Sequence, residues 1–120
     1  MGDGPAERRK YIIGWLTCRT GRRDELMALA VPYAAACRQE EGCLFFEMNP
    51  SVHAPDVVSI AECFASREAH AAHLETERFR GFWARLHALC IEGRFENIFP
   101  AAVEPDSADF AGETHAHSKA

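Results

Sequence analysis

The chain has 120 residues, 48% hydrophobic, 26% charged and 10% aromatic, which describes one globular domain and excludes low-complexity disorder, collagen and coiled coil. Thirteen basic against eighteen acidic residues leave a net charge of −5, a field that repels phosphate backbones and argues against a nucleic-acid partner. Eight Phe, two Trp and two Tyr crowd so small a chain, so that some must line a pocket or be covered by a second copy.

Residues 1–9 read as a disordered N-terminal tail, and the basic run Arg8-Arg9-Lys10 as solvation of the chain end. No apolar leader segment follows, and no stretch approaches the ~18 apolar residues of a membrane span. The expectation is a cytoplasmic protein with no membrane partner. Residues 11–18 (YIIGWLTC) are rich in β-branched and aromatic side chains and predict a first strand, broken by Gly21. Leu26, Leu29, Ala30, Tyr33 and Cys37 then recur at helical spacing, with Gly42 as the expected C-terminal cap. Pro32 removes one hydrogen bond from this helix and predicts a kink or two abutting helices.

Residues 43–48 and 57–64 predict the second and third strands, joined by a loop over 49–56 that is too long for a tight hairpin. Ser66 and Thr76 are N-cap residues for two successive helical segments. On the second, Phe79, Phe82, Trp83, Leu86, Leu89 and Cys90 form one apolar stripe that Gly93 ends. Residues 94–103 predict the fourth strand, frayed at Pro100. Residues 104–120 lack periodicity and read as a flexible C-terminal tail, leaving 10–103 as the folded domain.

The order is β-α-β-β-α-β, which implies an α+β, ferredoxin-like domain with two helices on one face of a four-stranded antiparallel sheet. A monomer of this kind has a polar outer sheet face. Here Val57, Ala61 and Cys63 alternate with Val58, Ile60 and Phe64, and Cys43 and Phe45 alternate with Leu44, Phe46 and Met48. Strands apolar on both faces need two covers, which predicts a homodimer with sheets packed face to face. Five cysteines without a CxxC pair fit buried free thiols in a reducing compartment; Cys43 and Cys63 read as inert core thiols.

Three segments, GCLFFE (42–47), ECFAS (62–66) and AHAAHLET (69–76), together resemble the antibiotic biosynthesis monooxygenase family, which includes the quinol monooxygenases. The family pattern runs Glu-Gly-Cys with an aromatic strand, then Glu-x-Trp-x-Ser, then Ala-His-Leu-x-Thr-x-His-aromatic. The resemblance spans residues 10–103 and implies a dimeric α+β barrel. It also implies oxidation of a quinol-like or polyphenolic aromatic by molecular oxygen, without metal or organic cofactor. Other members of the family degrade haem or isomerise small sugar phosphates. Phe64 stands where the family has Trp, and Arg78 where it has its second His. In haem-degrading relatives an iron-ligating His falls where this chain has Trp83, with His87 one turn further on.

Cofactor-free oxygen activation needs a base, a group that stabilises the developing oxyanion, and a dry aromatic pocket. His73 is the candidate base, with a surface or capping role as its structural alternative. Glu62 either orients His73 or accepts a substrate proton. As a structural residue it would instead pair with Arg78 or Arg85. Asn97 or Arg78 could hold the anion, and Trp15, Phe46, Phe64, Phe79 and Trp83 could stack on a planar ring. The Phe79–Leu86 stripe is core before it is pocket. His70 and His73 lie three residues apart, but the spacing is loose and no third ligand is evident, so no metal is expected. His115 and His117 read as solvated tail residues. A dimeric barrel that binds a hydrophobic metabolite without catalysis is the remaining alternative.

Overall fold

A computed structural model describes residues 5–111 of the chain. A 3-10 turn at Ala6–Arg8 precedes β1 (Lys10–Cys18), α1 (Arg23–Cys37), β2 (Cys43–Pro50), β3 (Val57–Phe64), α2 (Arg67–Leu74), α3 (Glu77–Leu89) and β4 (Cys90–Ile98). The strands form one antiparallel sheet in the order β2-β3-β1-β4. This is the split β-α-β order, with the second helical segment divided in two at Thr76. The expectations for residues 1–4, His115 and His117 fall outside the described residues.

The even-numbered side chains of β1 and β3 point toward the helices because strand residues alternate faces. Ile12 and Leu16 therefore join Val58, Ile60, Phe46 and Met48 against Leu26, Ala30, Tyr33, Leu86 and Leu89 in one buried cluster. Tyr33 and Phe82 stack at 3.8 Å between ring centroids and fasten α1 to α3. Burying this set at about 25 cal/mol per Å² of apolar area is the main stabilising term. Pro32 does not divide α1, which runs through it with the proline on the exposed side.

Four further details differ from the sequence reading. Gly42 caps no helix: it lies five residues beyond the end of α1, at a φ of +88°. A Cβ there would come within 2.6 Å of Ala69 Cβ, so the glycine lets the turn before β2 meet α2. Leu44 does not share a face with Phe46, because the register passes from Cys43↔Phe64 to Phe45↔Cys63 and leaves Leu44 as an exposed bulge residue. The fourth strand starts at Cys90, not Arg94, so Gly93 lies inside the ladder opposite Leu16 and Cys90 leaves the helical stripe. It ends at Ile98, the partner of Tyr11, because β1 offers only Lys10 beyond that point.

The outer face of the sheet divides by polarity. Tyr11, Ile13, Phe45, Ala61 and Ile98 border an apolar groove with Pro100, Ala102 and Val103, and Ile13, Phe45 and Ile98 are more than a third exposed. The other end of that face carries Arg94, Glu92, Glu47, Asn49 and Ser59. All five cysteines are free, and burial pushes every thiol up, Cys18 and Cys43 to about 11. Thiols held protonated in this way are poor nucleophiles. No helix among the described residues is long and apolar enough to cross a membrane.

Candidate functional site

One row of side chains runs across the helix-facing side of the sheet. The register sets Phe46 opposite Glu62, Glu62 opposite Ile12 and Ile12 opposite Asn97. Above this row α2 and α3 diverge enough to leave a cavity of about 340 Å³. Ile12, Glu62 and Asn97 line its floor, Phe95 its side, and His70, His73, Leu74, Phe79 and Trp83 its helical wall, with the half-buried Lys10 at its edge where β1 begins. Gly14 sits under the Phe95 ring, where a Cβ would come within 2.6 Å. The bare backbone thus seats the ring that closes one side.

The wall is fixed by two caps. Ser66 Oγ accepts the Ala69 N–H at 3.0 Å and starts α2. Thr76 Oγ1 accepts the Phe79 N–H at 3.0 Å and donates to the His73 carbonyl at 2.8 Å, which joins the end of α2 to the start of α3. Each cap satisfies an N–H that helix geometry orphans. Together they set His73 and Phe79 edge to face, 5.4 Å between centroids.

His73 is 2% exposed, and both of its ring nitrogens face partners on the α1 side. Nδ1–H donates to Glu40 Oε1 at 2.9 Å, and the Tyr33 hydroxyl lies 3.5 Å from Nε2. Arg78 Nε donates to the other oxygen of Glu40 at 3.2 Å. Phe64 and Phe46 pack under the imidazole, with centroids at 5.1 and 5.7 Å. His73 is therefore a braced wall residue, and Glu40 is what braces it.

Glu62 and His70 are placed differently. Each is 8% exposed, and Glu62 Oε1 and His70 Nδ1 have no hydrogen-bond partner among the described residues. Burial, then the charge of Glu40, pushes the Glu62 carboxyl up to about 7, with Lys10 opposing. Burial, then Lys10 and His73, pushes His70 down to about 4. Near neutral pH the cavity lining thus includes a carboxyl poised between acid and base and a neutral imidazole, two groups able to exchange protons.

Of the residues singled out from the sequence, the fold brings Glu62, His73, Phe79, Trp83 and Asn97 to this one cavity. Phe46 and Phe64 are core, 2% and 0% exposed, and support it from below. Trp15 is not there. Odd-numbered residues of β1 face away from the helices, and the Arg94 guanidinium lies 5.0 Å over the Trp15 ring. Arg78 is not there either, since Glu40 holds it outside the cavity, and Glu62 has no ion pair with Arg78 or Arg85 among the described residues.

His87 is exposed and lines a separate cavity of about 330 Å³ between α3 and β4, with Trp83 at its edge. The sequence reading missed Lys10, Phe95, Glu40 and the part played by His70. The signal for His70 was its i, i+3 spacing from His73, and for Lys10 its shared parity with Ile12; Glu40 left none. Donor atoms of Cys37, Glu40 and His73 lie within 4.8 Å of one another and are the metal-competent group among the described residues. The Arg78 charge on Glu40 and a Cys37 thiol pushed up to about 12 both oppose a cation there.

A ferredoxin-like sheet with an aromatic cavity under two short helices defines a class of small α+β proteins. Within it, the antibiotic biosynthesis monooxygenase family profile matches residues 11–85, and the chain belongs to that family. Solved structures share the fold. A Deinococcus radiodurans protein assigned provisionally to the same monooxygenases superposes with a TM-score of 0.75 at 22% identity, over 80% of this chain and 96% of its own. Rv0793 of Mycobacterium tuberculosis gives 0.74 at 19%, covering 81% and 99%. A Bacteroides thetaiotaomicron protein of unknown function, described as a possible oxidoreductase, gives 0.72 at 23%, covering 77% and 97%. Curated proteins yield no match.

Proposed function

We propose that this protein is a cofactor-independent monooxygenase that oxidises a quinol-like or polyphenolic aromatic with molecular oxygen, working as a homodimer. The carrying observation is Glu62: a buried carboxyl, pushed up to about 7, that lines an aromatic cavity and whose Oε1 has no hydrogen-bond partner among the described residues. Family membership supports the reaction class.

The chemistry follows from what the cavity offers. The ionised Glu62 takes the hydroxyl proton of the bound aromatic, and Asn97, in the same cross-sheet row, donates to the resulting oxyanion. The electron-rich ring passes one electron to dioxygen, and the two radicals join in a C–O bond to give a peroxide. Glu62 returns its proton to the distal oxygen. The O–O bond then breaks as the carbon loses its hydrogen as a proton, leaving a carbonyl and one water. Phe79, Trp83 and Phe95 offer ring faces that hold the aromatic substrate.

Oxygen uptake over a panel of hydroquinones tests this reading. Wild type is expected to consume oxygen, and Glu62→Gln to lose about 10²–10⁴-fold in kcat/KM. Uptake no faster than the protein-free rate across the panel would overturn it. The dimer rests on the exposed Ile13, Phe45 and Ile98 of the outer sheet face. Light scattering at micromolar concentration should give twice the chain mass, and Phe45→Lys should halve it. A wild-type monomer would remove the dimer from the proposal.

A further inference from the structure

The mouth of the cavity carries charge that the proposed oxidation does not use. Lys10, the first residue of β1, lines the cavity and pairs across the sheet with Phe64. Its ammonium lies 5.5 Å from the centre of the Phe99 ring, and the Arg67 guanidinium, at the start of α2, lies 3.8 Å over the same ring. Neither cation forms an ion pair with a carboxylate among the described residues. In a chain of net charge −5, with eighteen acidic side chains available, two cations gathered on one ring without a carboxylate is a local inversion of the average field. The charge of Lys10 also acts on both Glu62 and His70. The cavity is therefore polar at two places: Glu62 Oε1 and His70 Nδ1, buried and without a hydrogen-bond partner among the described residues, and the Lys10 ammonium at the edge, which forms no ion pair within 4 Å among them. Between them the walls are aromatic.

We propose that the cavity takes a hydroxylated aromatic acid, with its hydroxyl directed inward to Glu62 and His70 and its carboxylate outward to Lys10. The inference rests on reading this cavity as the substrate site, and it narrows that substrate from aromatics in general to anionic ones. Each end of such a ligand answers a group that the fold leaves incomplete. The hydroxyl completes the buried carboxyl and imidazole, where an unmade hydrogen bond is costly. The carboxylate completes the ammonium through a charge-assisted contact, and Arg67 adds to the attractive field at the entrance. A volume of about 340 Å³ is at the small end of ligand pockets and suits one or two rings.

Anaerobic titration separates binding from turnover, with calorimetry or Trp83 fluorescence as the readout. The probes are 2,5-dihydroxybenzoate, its methyl ester and benzoate. Wild type should bind the dihydroxy acid about tenfold or more tightly than the ester, because one charge-assisted contact is lost. Benzoate, which lacks the inward hydroxyl, should bind about tenfold more weakly than the dihydroxy acid. In Lys10→Met the preference for acid over ester should fall to near unity while ester affinity holds. Equal binding of acid and ester by wild type, no binding of any probe, or a preference that survives in Lys10→Met/Arg67→Gln would each overturn the proposal. Acid preference without oxygen uptake would defeat the monooxygenase reading alone. Oxygen uptake on hydroquinones without acid preference would defeat this one alone.

Discussion

Two polar clusters meet around α2, and they are built in opposite ways. On the α1 side, Glu40 gives one oxygen to His73 and the other to Arg78. On the sheet side, Glu62 and His70 are also buried, yet each keeps an atom with no hydrogen-bond partner among the described residues. A buried polar network that is fully paired supports the fold, whereas an unpaired buried group costs free energy that the chain alone does not recover. The paired cluster braces His73, and the unpaired atoms are the ones that the proposed substrate would engage. The sequence assigns the chemistry to His73 and Glu62 together. The proposed function keeps Glu62 as the base and gives His73 a bracing part, because Glu40 and Tyr33 lie against its two ring nitrogens.

The largest effect that sharpens this contrast is on activity. Beyond the loss expected for Glu62→Gln, kcat/KM of the wild type should climb with pH to a plateau above about 7, as the carboxyl that must act as base ionises. A profile flat from pH 5 to 9 would remove Glu62 from that role.

Next in size is the pH dependence of stability. Glu62 titrates higher in the folded chain than its ordinary 4.5. Its contribution is full below 4.5 and is lost as pH rises to about 7, by roughly 3 kcal/mol in all. His70 titrates lower than its ordinary 6.5, so its contribution is present above 6.5 and lost as pH falls toward about 4. Between 4.5 and 6.5 the two slopes oppose each other. Urea denaturation of Glu62→Gln should therefore show stability rising with pH across that window, and His70→Gln should show it falling. Parallel curves for the two variants would mean that the groups are not buried as described.

Smaller effects belong to the paired cluster. Glu40→Ala leaves His73 Nδ1 and Arg78 without their acceptor and should cost about 2 kcal/mol. Arg78→Met removes only the outer, 35% exposed partner and should cost under about 1 kcal/mol. Denaturant midpoints rank the two, and a reversed order would deny Glu40 its bracing role.

Much of this cavity was legible in residue types and parity. Glu62 and Asn97 fall on strands at positions that share a face with Ile12, and Phe79 and Trp83 stand one helical turn apart. Trp15 was misplaced because the face a strand residue takes depends on which side the helices cover. Arg78 was misplaced because its partner, Glu40, lies 38 residues away in the turn after α1, a pairing that no local pattern encodes. The start of β4 was missed for a related reason. Gly93 reads locally as a breaker, while the ladder with β1 carries the strand through it.

By itself the sequence determined the order of strands and helices, both N-caps, the crowding of aromatics and the family motifs, because each depends on spacing within a few residues or on composition. Tertiary structure alone decided which polar groups were paired and which were left over. Pairing depends on side chains that arrive from different elements: Glu40 reaches His73 from beyond the end of α1, while no hydrogen-bond partner among the described residues reaches Glu62 Oε1 or His70 Nδ1. That difference, invisible in any single segment, separates the braced wall of the cavity from the groups that the proposed chemistry would use.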